Sequence, residues 1–210
     1  MPWHVNILRS TVTHTAPYVI VPSLLPPTEW LRLLAYVAQQ EANFVPTSTM
    51  TGELDYRKSW VLYDFPEWRD RLVETVQILL PQVLQRLGLE PFVPEQVEIQ
   101  LTAHNHGNYY KIHNDNGNEE VARRVISYVY YFHRTPKPYQ GGELKLYDLV
   151  DQDGMYQAGE QGITIAPPNN SLVLFPSYIM HEVLPVDCPS GNFLDSRFTL
   201  NGWVRRSDRP

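Results

Sequence analysis

Residues 17–25, "PYVIVPSLL", form a short apolar run, and the chain then passes through two prolines into "PPTEWLRLLAYVAQQEANF". In this second segment Trp30, Leu31, Leu34, Val37 and Ala38 recur at helical spacing, and Thr28 stands where a cap belongs. The pattern predicts a strand and then an amphipathic helix over 28–42. Residues 43–58 are polar and turn-rich and predict an irregular, mobile segment, while "SWVLYDF" (59–65) predicts a short strand. A second helical pattern covers 66–89, and Pro81 inside it predicts a bend or a break.

From residue 95 the period changes from helical to two. "QVEIQLTAH", "NYYKIH", "RVISYVYYFH", "GELKLYD", "GITIA", "SLVLFP", "HEVLPV" and "RFTLNGWVR" follow at short intervals, separated by Gly, Pro and Asn. Many short strands after two helices predict a mostly β fold, a sandwich or barrel with N-terminal supporting helices packed outside. No internal repeat, low-complexity tract or linker divides the chain. One domain over 1–210 is expected, with helical support and leading strands in 1–94 and the β core in 95–206.

Composition agrees with strands and turns: Tyr (13), Pro (18) and Trp (5) are all plentiful. The formal net charge of -6 argues against a surface built to wrap nucleic acid. A single cysteine, Cys188, excludes an internal disulfide and any cysteine-based zinc site, and its "DCPSG" setting reads as a surface or half-buried loop thiol. The chain shows neither the basic start and apolar core of a signal peptide nor an apolar run long enough to cross a membrane. A cytoplasmic location is the expectation.

The chemistry gathers in three places. "YKIHNDNGNE" (110–119) sets His113 and Asp115 two apart at the end of a strand pattern. Taken alone the stretch is a good turn, since Asn, Asp and Gly favour one. A strand, however, sends residues i and i+2 to one face, where both can meet one ion. "VLFPSYIMHEVLPV" adds His181, and two imidazoles with one carboxylate make the facial triad that non-haem Fe(II) favours. In "RFTLNGWV" period two puts Arg197, Thr199, Asn201 and Trp203 on one face, and Phe198, Leu200, Gly202 and Val204, an apolar set, on the other. If the apolar side packs on the helices, Arg197 points inward, and a buried guanidinium requires an anion. Tyr131, on the inward face of its own strand, can add a hydroxyl donor to that anion.

In this order the segments "YYKIHND", "RVISYVYYFH", "GGELKLYD", "SLVLFPSYIMHEVLPV" and "SRFTLNGWV" resemble the prolyl 4-hydroxylase-like branch of the Fe(II)/2-oxoglutarate dioxygenases, over about residues 95–206. The resemblance implies a double-stranded β-helix, the jelly roll of cupin-like proteins. It implies Fe(II) held by His113, Asp115 and His181, and 2-oxoglutarate held at its far carboxylate by Arg197 and Tyr131. Tyr110 and Asn201 fall at pocket-lining positions. The activity implied is hydroxylation of an aliphatic C–H in a protein, peptide or amino acid, possible prolyl substrates included, with O2 consumed, succinate and CO2 released, and ascorbate as a reductant. Relatives acting on nucleic acid carry a second arginine where this chain has Trp203, so a nucleic-acid substrate is not expected. The contrasting class is a non-catalytic jelly-roll module that binds metal and a 2-oxo acid.

Other conspicuous residues take plainer readings. His104 and His106 in "TAHNHGN" read as loop or pocket-rim residues, His133 as solvent-facing, and His4 and His14 as parts of an unpatterned terminus. "GGEL" reads as a tight turn, and Tyr109, Tyr128 and Tyr130 read equally as packing or pocket residues. Residues 43–58 and 114–122 are the candidate lids.

Overall fold

A computed structural model describes residues 12–47, 55–152 and 155–207. In chain order the strands are β1 (Val12–His14), β2 (Val19–Val21), β3 (Val45–Pro46), β4 (Arg57–Lys58), β5 (Trp60–Leu62), β6 (Pro94–His104), β7 (Tyr109–His113) and β8 (Arg124–Phe132). They continue as β9 (Gln140–Gly141), β10 (Leu144–Gln152), β11 (Met155–Ile165), β12 (Ser171–Pro176), β13 (His181–Val183), β14 (Val186–Asp187) and β15 (Arg197–Arg206). Helix α1 (Pro27–Gln39) lies between β2 and β3, and α2 (Pro66–Leu87) between β5 and β6. A larger antiparallel sheet runs β2-β12-β8-β15-β6-β5-β3, and a smaller one runs β1-β10-β13-β7-β4 with β11 also on β10. Two facing antiparallel sheets whose neighbours are distant in sequence are a jelly roll, as the strand pattern predicts.

The alternation on β15 decides which way the large sheet faces. Phe198, Leu200 and Val204 join Leu101 and Ala103 of β6 and Tyr128, Tyr130 and Phe132 of β8 in one buried cluster with the helices. Helix α2 brings Trp68, Leu72, Val76, Leu80, Val83, Leu84 and Leu87 to it. These recur at three- and four-residue steps, the stripe of an amphipathic helix. Each buried Leu or Val contributes about 1.5–3 kcal/mol. The opposite faces of β8 and β15 therefore look into the roll.

Three helical expectations are corrected. Thr28 makes no cap: Pro26 occupies the cap position, Pro27 opens α1, and the prolines' fixed φ starts the helix before Thr28. Leu31 is 54% exposed whereas Leu33 is fully buried, because the inward stripe runs 30, 33, 34, 37, 38. Of the bend or break expected at Pro81, the break is excluded, since α2 runs through to Leu87. Both Pro81 and Gln77, the residue whose carbonyl loses its partner, are exposed, so water can take the missing bond.

The segment expected to be irregular contains β3, which pairs with β5, and β4, which pairs with β7, while its residues 48–54 lie outside the described part. His14 sits in β1 opposite Leu149 and not in a patternless tail, while His4 lies outside the described residues. Among the described residues no helix is long and apolar enough to cross a membrane.

Candidate active site

His113 ends β7 and His181 opens β13, and the two are directly paired across the small sheet. Asp115 follows two residues after His113, tied by its backbone N–H to the carbonyl of Ser177 at 2.9 Å. All three side chains are buried and their ligand atoms lie within 4.8 Å of one another. Nδ1 of His113 donates to the carbonyl of Lys111 at 2.7 Å, and Nδ1 of His181 to that of Ile179 at 2.9 Å. Those bonds set the tautomers, leaving each Nε2 with a free lone pair. Both lone-pair nitrogens face Asp115, at 3.7 Å from His113 and 3.4 Å from His181.

The surroundings keep His113 and Asp115 in the protonation states a metal requires. Burial, reinforced by neighbouring His181, pushes the His113 pKa down to about 3, so the ring is neutral. Burial alone would raise the Asp115 pKa, but the two imidazoles and hydrogen bonds from Ser127 and Trp203 hold it below its usual value. Ser127 Oγ donates to Asp115 Oδ2 at 2.6 Å and so orients the carboxylate. Two imidazoles and one carboxylate, buried and convergent, fit a divalent first-row metal with open positions.

Beside the triad lies a chamber of about 60 Å³, which shares Arg57, Tyr110, His113, Asp115 and Trp203 as a wall with an outer cleft of about 580 Å³. Arg197 lies in that chamber with Thr199, Asn201 and Trp203, the four positions that share a face by period two. It is 1% exposed. Its Nε donates to the Gly142 carbonyl at 2.8 Å, and no carboxylate pairs with it among the described residues. Gly142 has a positive φ of 70°, and a Cβ there would stand 2.7 Å from Arg197 Cδ, so the glycine makes room for the arginine. The connection before β15 is braced by Asp195, which accepts from Ser190 at 2.8 Å and from Arg134 at 2.8 Å. Arg197 thus keeps its register, opposite His104.

Two buried polar atoms beside Arg197 have no partner: the Tyr131 hydroxyl and Nε2 of His104. The guanidinium stands 4.9 Å from the Tyr131 ring centroid, and its NH1 lies 3.5 Å from His104 Nδ1. An arginine only donates, so Nδ1 accepts and Nε2 carries the proton. A cation flanked by two orphan donors fits a carboxylate. Two further cations, Arg205 and Lys145, are engaged: Arg205 pairs with Glu98 at 3.1 Å and Lys145 with Glu182 at 3.9 Å.

Tyr110 lines both cavities and stacks on His113 at 3.6 Å between ring centroids. Asn201 accepts from Thr102 at 2.9 Å and Thr199 at 3.0 Å, which orients its amide in the chamber. Tyr128 donates to the Glu98 carbonyl and Tyr130 to Asn170, both packed with the helices, Tyr128 also bordering the chamber, whereas half-buried Tyr109 donates to the Asp55 carbonyl. Trp203 walls both cavities under the Arg124 guanidinium at 3.7 Å.

Three sequence expectations fail here. His104 is no loop or rim residue; it is a buried wall of the chamber, on the same face of β6 as Thr102. His133 is buried, its backbone N–H bound to Asn169 and its ring set edge-on to Tyr139. Cys188 is fully buried, because the 190–195 turn folds back over it and places the Asp195 carbonyl 3.5 Å from its sulfur. His106 is exposed, beside Asp187, as expected of a rim residue. Sequence reasoning missed Ser127 as the Asp115 partner and missed Arg57, which lines both cavities.

A jelly roll backed by two helices, with a buried His–Asp–His cluster at its mouth and an unpaired arginine behind it, defines a non-haem metal type of site. Residues 99–205 match the 2OG-Fe(II) oxygenase superfamily, and the chain belongs to it. The chain is 40% identical over 191 residues to an uncharacterized PKHD-type hydroxylase of Synechocystis, covering 90% of this chain and 63% of that longer protein. A Pseudomonas putida prolyl-4-hydroxylase superposes with a TM-score of 0.67 at 25% identity, over 92% of this chain and 94% of the other. A Trichoplax adhaerens prolyl hydroxylase, in complex with a hypoxia inducible factor peptide fragment, has the same fold: TM-score 0.62, 18% identity, 90% and 83% covered.

Proposed function

We propose that this protein is an Fe(II)- and 2-oxoglutarate-dependent hydroxylase acting on an aliphatic C–H of a protein, peptide or amino acid, with a prolyl residue as the first candidate. The observation carrying the reading is the convergence of two carbonyl-anchored imidazoles and the Asp115 carboxylate on one point, next to a chamber holding Arg197 without a carboxylate partner. Superfamily membership supports the cofactor pair, and likeness to a prolyl-4-hydroxylase supports the substrate class.

His113, Asp115 and His181 would hold the iron, which when bound supplies the oxidising chemistry at open coordination positions. The chain's own residues hold and exclude. Arg197, Tyr131 and the Nε2 proton of His104 fix the far carboxylate of 2-oxoglutarate, and Asn201 and Thr199 line its path. Ser127 keeps Asp115 aimed, and Tyr110 covers His113 on the side of the outer cleft. Phe175, edge-on to His181 at 4.8 Å, and Leu144 close the chamber to water. The test is incubation of the Fe(II)-loaded protein with 2-oxoglutarate, O2 and pools of peptides and free amino acids. A product about 16 Da heavier than its precursor, one added oxygen, is expected. Succinate formation that no peptide or amino acid pool accelerates would reject this substrate class.

A further inference from the structure

Arg57 lines the site just described, yet the function proposed above gives it no role. It sits on β4, paired opposite Tyr110 of β7, and its guanidinium lies 5.0 Å over the Tyr110 ring. That ring stacks on His113, so the cation stands one ring away from the triad. Arg57 lines both the chamber and the outer cleft. Its Nε donates to Ser59 Oγ at 3.0 Å, and no carboxylate pairs with it among the described residues. The other guanidiniums at this end are taken: Arg124 and Arg205 share Glu98, and Arg123 pairs with Glu95.

The cleft wall is as informative. The chain carries 23 acidic against 17 basic residues, yet Asp115 is the only carboxylate among the described residues lining the cleft. Resting on the iron and 2-oxoglutarate reading above, and with Arg124 of the cleft wall paired to Glu98, the remaining charges there are a dication, Arg57 and Arg197 against Asp115 and a doubly charged cosubstrate. One positive charge is left over. Both cosubstrate carboxylates are spoken for, one at the metal and one at Arg197, so the surplus falls to Arg57. A half-buried guanidinium with no anion is a costly arrangement unless a ligand supplies one.

We propose that Arg57 binds a carboxylate of the primary substrate, which makes that substrate anionic: a free amino acid or a peptide presenting a carboxylate next to the reacting carbon. A planar guanidinium fork lining the cleft suits bidentate capture.

The test uses the Fe(II)-loaded protein under anaerobic conditions, saturated with 2-oxoglutarate. Trifluoroacetate and its neutral isostere trifluoroacetamide are titrated in, with binding read by fluorine NMR relaxation. Wild type is expected to hold the anion about tenfold or more tightly than the amide, the worth of one charge-assisted contact. Arg57→Gln should abolish that preference while 2-oxoglutarate affinity, measured separately by calorimetry, stays within about twofold. Arg57→Lys should restore part of it. No anion preference in wild type, or a preference that survives in Arg57→Gln, overturns the proposal. So does a loss of about tenfold or more in 2-oxoglutarate affinity for Arg57→Gln, which would assign the arginine to the cosubstrate. Failure of wild type to bind 2-oxoglutarate in an iron-dependent way would instead strike the function proposed above.

Discussion

Replacing Arg197 by Met should move two quantities in opposite directions. In the free protein the guanidinium is 1% exposed and holds one 2.8 Å bond to the Gly142 carbonyl and one 3.5 Å contact to His104. Burying an ion costs several kcal/mol after relaxation. A charge-assisted hydrogen bond returns about 1.5–3 kcal/mol, and the longer contact to His104 returns less. Arg197→Met removes the charge and keeps most of the apolar stem. The free protein should therefore be unchanged or more stable by up to about 2 kcal/mol in urea unfolding. Cosubstrate binding should suffer, because the far carboxylate loses its only cation. A loss of about 2–4 kcal/mol, roughly thirty- to a thousandfold in 2-oxoglutarate affinity, is expected by calorimetry on the metal-loaded protein. A variant that unfolds more easily by about 2 kcal/mol, yet binds 2-oxoglutarate as wild type does, would make Arg197 a structural residue and refute the reasoning.

Tyr131→Phe removes an orphan hydroxyl, so the free protein should keep its stability while 2-oxoglutarate binding weakens by about 1 kcal/mol, again by calorimetry. Ser127→Ala frees Asp115 from its 2.6 Å bond and should lower Fe(II) affinity about ten- to a hundredfold in a chelator competition, with the fold intact by circular dichroism. Burial, with Arg197 and Arg57 nearby, holds the His104 pKa well below 6.5, so the folded state stays neutral there while the unfolded chain takes up a proton. Stability contributed by this group is present above about pH 6.5 and is lost as pH falls, about 1.4 kcal/mol by pH 5.5. His104→Gln should flatten that part of the pH–stability curve measured on the metal-free protein, and an unchanged slope would contradict it.

What the sequence disclosed depends on how local each cause is. Period two along residues 197–204 needs no partner strand to be read, and the alternation it implies holds for Arg197 to Val204 except at Gly202, which borders the chamber although its parity puts it on the outer face. The same rule applied to β6 puts His104 on the face of Thr102, so its inward position was available from the pattern, hidden by the turn-like "NHGN" that follows. His133 and Cys188 are buried by segments that arrive from elsewhere, Tyr139 and Asn169 over one and the 190–195 turn over the other, and no local pattern announces that. Arg57 is the extreme case. It lies in a polar stretch with no periodicity, and its place beside His113 depends on β4 pairing with β7 some fifty residues away.

The most direct test of the central claim is aerobic succinate formation from 2-oxoglutarate by the Fe(II)-loaded protein, run beside Asp115→Ala. Wild type should form succinate only when Fe(II) is present, and Asp115→Ala should form none while remaining folded. No iron-dependent succinate from wild type would favour a jelly roll that binds metal and a 2-oxo acid without turnover, and equal succinate from Asp115→Ala would remove the carboxylate from the metal site.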